Sequence, residues 1–163
     1  PYLRNIDDLT LIQQRTLGSD SVANMTTEQR LVMETQISRA DEGLAALPPY
    51  RVDPSDLVST TWRGLRAPES LLDQLKVGDI FQDPGYLSSS VDQQVAESFA
   101  RGAGEGEAPT ILTVVGENGV DVAPLSRWSD ESEILFPRGS NFQVASRELG
   151  ADGIIRIVIR QVK

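Results

Sequence analysis

Two adjacent prolines, Pro48-Pro49, divide this chain into stretches of different periodicity, and that break limits the folds open to it. Upstream, apolar residues recur three to five apart. Ile6, Leu9, Ile12 and Leu17 predict a short helix capped by Asn5 or Asp7. After a polar loop over 18–25, Leu31, Val32, Ile37, Leu44 and Leu47 predict a longer helix that opens at Thr26 or Thr27 with a capping sequence. The prolines end it, because proline lacks a backbone donor and clashes with the preceding turn. Beyond Pro54 the character changes to short runs rich in β-branched and aromatic residues, at 57–63, 77–81, 86–90, 110–115, 119–122, 133–136, 141–146 and 153–162. Two helices interrupt them, one over 67–75 with Pro68 at its first position, the other capped by Asp92 and carrying Val95, Ala96, Phe99 and Ala100. Helices first and many strands after predict an α+β domain. Residues 1–50 form a helical N-terminal layer in this reading, and 55–163 a strand-rich core of two packed sheets.

At 163 residues the chain is one domain with enough length to bury a core. It has no cysteine and no histidine. Disulfides, thiolate nucleophiles, Ser-His-Asp triads and His- or Cys-ligated zinc are therefore excluded, leaving carboxylates, hydroxyls, Tyr, Lys and Arg for any chemistry. A net charge of −9 disfavours nucleic acid and anionic lipid as partners. No apolar run reaches the length that spans a bilayer. The glycine-rich segment 101–107 lacks the Gly-Lys-Ser/Thr ending of a phosphate loop, carries two acids, and reads as a flexible connector.

Within the strand-rich part, Glu131-Ser132-Glu133 runs into the apolar Ile134-Leu135-Phe136. If the segment is extended, Glu131 and Glu133 share one face of the strand, since side chains alternate. A solvated strand end explains such a pair as simply as a site does. Two further pieces precede it in order. Thr61-Trp62-Arg63-Gly64-Leu65 places an arginine and a glycine at the end of a strand, and Gly85-Tyr86-Leu87-Ser88-Ser89-Ser90 runs an aromatic strand into consecutive serines.

Taken together these pieces resemble the Arg–Ser-Thr-Ser–Glu-x-Glu class of mono-ADP-ribosyltransferases, a family of bacterial toxins and effectors. The resemblance extends from about Thr61 to Val144, with a softer match in the helix after the serines and in the Pro137-Arg138-Gly139 continuation. It departs at Ser89, where the family usually has Thr. The resemblance implies the family's fold, two packed and mostly antiparallel sheets, and NAD as co-substrate without a metal. It implies Glu133 as the carboxylate that stabilises charge on the NAD ribose, and Arg63 as a clamp on the phosphates. Gly64 and Leu65 would belong to the NAD site, with the glycine's missing Cβ freeing its backbone to bond the nicotinamide amide. Ser88 would support Glu133, with Ser90 a lesser candidate, and Ser89, Ser90 and Phe99 would belong to the NAD site. Glu131 would activate an arginine acceptor on a target protein, and Trp128 would contact that target.

Each assignment has a plain rival: an ion-pair role for Arg63, a polar edge strand for 88–90, loop packing for Trp128, and core packing for Phe99 and Tyr86. NAD hydrolysis without an acceptor, transfer to another nucleophile, and an inactive binding module remain open as functions. The start at Pro1 is read as that of a toxin domain released from a larger delivery protein, secreted or delivered into a target cell and acting in its cytoplasm. An immunity protein in the producing cell is a further expectation.

Overall fold

The computed structural model describes residues 25–83, 85–122 and 132–163. The helix predicted near the N-terminus, Trp128 and Glu131 lie outside the described residues. Helix α1, Thr27–Ala46, starts with a capping box in which Thr26 Oγ1 accepts from the Gln29 amide and Gln29 Oε1 accepts from the Thr26 amide. Leu31 and Val32, expected to face the core, are 63% and 52% exposed. In its second half Ile37 is buried, and Leu44 and Leu47 pack on a cluster of Tyr86, Val120, Val122 and Leu135.

The remaining elements are β1 (Ser59–Pro68), α2 (Glu69–Leu72), β2 (Ile80–Gln82), β3 (Leu87–Ser90), α3 (Gln93–Ala100), β4 (Glu107–Gly116), β5 (Val120–Asp121), β6 (Glu133–Phe136), β7 (Asn141–Leu149) and β8 (Ile155–Val162). The strands hydrogen-bond in the order β2-β7-β8-β4-β1-β3-β6-β5, with only β4 and β8 parallel. This is one continuous eight-stranded ladder where the sequence leads one to expect two sheets. The junction explains the difference. β1 pairs with β4 over its whole length but with β3 only at Trp62↔Ser90. Buried residues from both sides of that junction, including Leu87, Ile134 and Phe136 on one and Leu112, Phe142 and Ile157 on the other, form a single core cluster. Phe136 and Phe142 meet edge to face across it, with centroids 5.5 Å apart.

Long-range pairing also moves element ends. β1 runs through Gly64 to Pro68 because β4 offers it a partner at every residue, so Pro68 becomes the N-cap of a shorter α2. β7 extends to Leu149 against β8. Arg147, on β7, donates to the carbonyls of Leu72 and Leu75 at the end of α2.

One polar cluster ties α1 to the sheet. Tyr86, just before β3, donates its hydroxyl proton to Asp41 Oδ1 (2.5 Å), and the same hydroxyl oxygen lies 3.3 Å from the Ile37 carbonyl oxygen. Arg138, just after β6, forms an ion pair with the same carboxylate. Burial works to raise the Asp41 carboxyl, but hydrogen bonds from Arg138 and Tyr86 outweigh it and hold its pKa below the usual 3.8. Burial and the neighbouring Asp41 push the Tyr86 phenol well above its ordinary range. A depressed carboxylate contributes stability above its unfolded pKa and loses it as pH falls toward the folded value. The D41N variant is therefore expected to be less stable than wild type at pH 6, with the gap shrinking below pH 3.8. Urea midpoints at the two pH values measure this, and a gap that stays constant on acidification refutes it.

Candidate active site

Opposite residues on paired strands share a face, so the β3–β6 register Ser88↔Leu135 and Ser90↔Glu133 puts these four side chains on one side of the sheet. At the Leu135 end α1 covers that side through Leu44 and Leu47. On β1 the same side is covered by α3, whose Ala96 and Ala100 form a cluster with Ile111 and Ile154 against which Trp62 packs. Between the two helices the sheet face stays open. A cleft of about 260 Å³ lies there, lined by Trp62, Arg63, Gly64, the three serines, Val95, Ala96, Phe99 and Glu133.

Its position follows from the parting of β1 and β3. Continued by two residues, the antiparallel register at Trp62↔Ser90 would pair Gly64 with Ser88, but the ladder has already stopped. The Ser88 carbonyl accepts instead from Arg63 Nη1 at 3.1 Å. The Ser88 hydroxyl donates to Glu133 Oε1 at 2.6 Å, a short contact of the kind an ionised acceptor makes. Cation, hydroxyl and carboxylate thus form one connected rim. The other serines act differently. Ser89 is buried and its hydroxyl donates to the Ile134 carbonyl at 3.1 Å. Ser90 accepts from the amide of Asp92, which in turn caps α3 by accepting from Gln94. The tripeptide therefore joins β6, the core and the start of α3 in successive residues.

Gly64 has a packing reason for lacking a side chain that the sequence does not disclose. A β-carbon there would sit 1.8 Å from the Ala96 carbonyl oxygen and 2.9 Å from Phe99 Cβ. Only glycine lets α3 approach β1 closely enough to form this wall of the cleft. Leu65, grouped with the site by resemblance, packs instead against the main core, since alternation along β1 turns it to the other face from Gly64. Phe99, open to a core reading in sequence, is 53% exposed on the cleft wall, whereas Tyr86 is buried. Trp62, Val95 and Ala96 also line the cleft and were not singled out as site residues. The alternation of Trp62 with Gly64, and the one-turn spacing of Val95 and Phe99, were the available signals.

β6 begins at Glu133, and Ser132 lies at φ 45°, in the left-handed region. The extended path of β6 therefore starts at Glu133 and does not include Ser132. Glu131 itself is outside the described residues. Among the described residues, no group of three or more His, Cys, Asp or Glu side chains is placed to hold a metal ion.

The G64A variant is expected to lose about 1–3 kcal/mol of stability by forcing α3 away from β1. Chemical denaturation measures it, and a midpoint equal to that of wild type shows that the packing can absorb the methyl group.

The sequence matches the family model described as ADP-ribosyltransferase exoenzyme over residues 50–163. It is 32% identical to exoenzyme T of Pseudomonas aeruginosa over 146 residues, covering 90% of this chain and 30% of that protein. It is 32% identical to the NAD(+)--protein-arginine ADP-ribosyltransferase Tre1 of Pseudomonas putida over 71% of this chain and 20% of that protein. The chain thus spans less than a third of the length of these relatives. Among solved structures it resembles the Vibrio splendidus ADP-ribosyltransferase Vis in complex with agmatine, with a TM-score of 0.68 and 24% identity, covering 98% of this chain and 67% of that one. A complex of Pseudomonas aeruginosa exoenzyme S with human 14-3-3 protein beta and carba-NAD matches with a TM-score of 0.60 and 25% identity, covering 91% of this chain and 65% of that one.

Proposed function

The chain belongs to the ADP-ribosyltransferase exoenzyme family, and from that premise we propose that it cleaves NAD and transfers ADP-ribose to an arginine side chain of a protein. The observation that carries this reading is the connected rim of Arg63, Ser88 and Glu133 in a cleft that also presents an exposed Phe99. A planar guanidinium suits the dinucleotide's phosphates, an aromatic face suits a planar ring, and a carboxylate suits a sugar that becomes cationic.

The reaction breaks the bond between the ribose anomeric carbon and the nicotinamide nitrogen, and the electron pair leaves with nicotinamide. Positive charge builds on the ribose, as in other glycosyl transfers. Glu133, fixed by the Ser88 hydroxyl, faces that charge and needs no rearrangement as it develops. Arg63 holds the phosphates with the donors of its fork, one of which already serves the Ser88 carbonyl. The acceptor guanidinium attacks the anomeric carbon and gives up one proton, for which Glu131 is the assigned base. Trp128 is assigned to the target contact. Delivery into a target cell and protection of the producer by an immunity protein belong to the same proposal. The names "Secreted exoenzyme S" and "ADP-ribosyltransferase toxin AexT" among the relatives support the delivery part of it.

The test uses labelled NAD with agmatine, a small guanidine, as acceptor. E133Q is expected to lower turnover by about 10²–10³-fold. E131A is expected to keep hydrolysis to free ADP-ribose while losing transfer to agmatine. A wild type that hydrolyses NAD and labels no guanidine would leave a glycohydrolase, and one that consumes no NAD would leave a binding module.

A further inference from the structure

The junction between β1 and β3 separates Arg63 from Ser88 and from Glu133 on β6, yet it contains one backbone register pair, Trp62↔Ser90. One residue before it on each strand lies a buried hydroxyl pair. Thr61 Oγ1 and Ser89 Oγ are 2.7 Å apart, with Thr61 fully buried and Ser89 4% exposed. Ser89 has one hydroxyl proton, and its donor contact is the Ile134 carbonyl. The proton between the two hydroxyls therefore comes from Thr61. The result is a relay, Thr61 to Ser89 to Ile134, that crosses β1, β3 and β6 in a single line on the core side of the sheet.

Its neighbours in sequence are the rim. Two residues past Thr61 is Arg63, Ser88 precedes Ser89, and Glu133 precedes Ile134. Each member of the relay is thus within two residues, on its own strand, of a group in the cleft. Where two strands are paired along their length, a single side-chain contact adds little to their alignment. Here the strands part at once, and the relay is the side-chain bond beside the only ladder pair.

We propose that Thr61 is a positioning residue of the NAD site, its buried hydroxyl setting, through Ser89 and Ile134, the spacing of Arg63 from Ser88 and Glu133. This rests on the function proposed above. It also explains what the serine at position 89 does in this chain: its hydroxyl bridges two strands, and Thr61 supplies the β-branched partner from across the junction.

The variants T61V, T61S and S89A separate positioning from simple stabilisation in the full chain. Valine keeps the shape of threonine and removes the hydroxyl, while serine keeps the hydroxyl. Well below the melting temperature, T61V is expected to lower kcat/KM for NAD about tenfold per folded molecule. T61S is expected to restore it toward wild type. In an S89A background T61V is expected to add little, because the relay is already broken. Should T61V fail to fold, S89A alone reads the relay: it is expected to lower kcat/KM for NAD about tenfold, and an S89A enzyme with wild-type kcat and KM overturns the positioning role. A T61V enzyme that melts earlier but keeps wild-type kcat and KM overturns the positioning role and leaves the proposed activity standing, as do independent, multiplying losses for T61V and S89A. A wild type without NAD turnover overturns both.

Discussion

Between β1 and β3 the backbone ladder holds one register pair, Trp62↔Ser90, and beyond it the strands separate. Opening a sheet in its interior leaves backbone groups without strand partners, and buried groups of that kind are destabilising unless something else satisfies them. In this protein side chains do so. Arg63 donates to the Ser88 carbonyl, while the Thr61 hydroxyl meets the Ser89 hydroxyl and so adds a side-chain bond across the junction. The parting therefore produces a polar-lined cleft, with the cation on β1 at one edge and the carboxylate on β6, paired with β3, at the other.

Two helices determine how wide the open face is. α3 is drawn onto β1 by the missing side chain at Gly64, and its Ala96 and Ala100 keep the approach close. α1 is held at the other end by Leu44, Leu47 and the cluster of Asp41, Tyr86 and Arg138. Tyr86 and Arg138 flank the Leu87↔Phe136 end of the β3–β6 pair, whereas the rim lies at its Ser90↔Glu133 end. The same two short strands are thus anchored at one end and left free for chemistry at the other. In a chain of net charge −9, Arg63 places a cation in the cleft, close to Glu133, and a dinucleotide's phosphates need such a charge.

How much of this was legible in advance depends on the range of the interaction involved. The capped start of α1 and the Asp92 cap of α3 rest on contacts within a few residues, and the sequence locates them, while β6 is legible from its apolar run and the proline that follows it. The grouping of Arg63, the serines and Glu133 was also readable, because three pieces in fixed order carry more information than any one of them. Element ends were less so: β1 grows to ten residues and α2 shrinks to four because β4 pairs with β1 through Pro68.

By itself, then, the sequence determined the class of fold, the local caps, and which residue types meet in the cleft, since these follow from periodicity, near-neighbour bonding and motif order. Only the tertiary structure decided where the sheet parts, that Leu65 faces the core while Phe99 faces the cleft, and that Gly64 is small for the sake of α3. It also showed that Ser132 breaks the extended path before Glu133. Those outcomes depend on strands and helices distant in sequence competing for the same space, and no local pattern records which of them arrives.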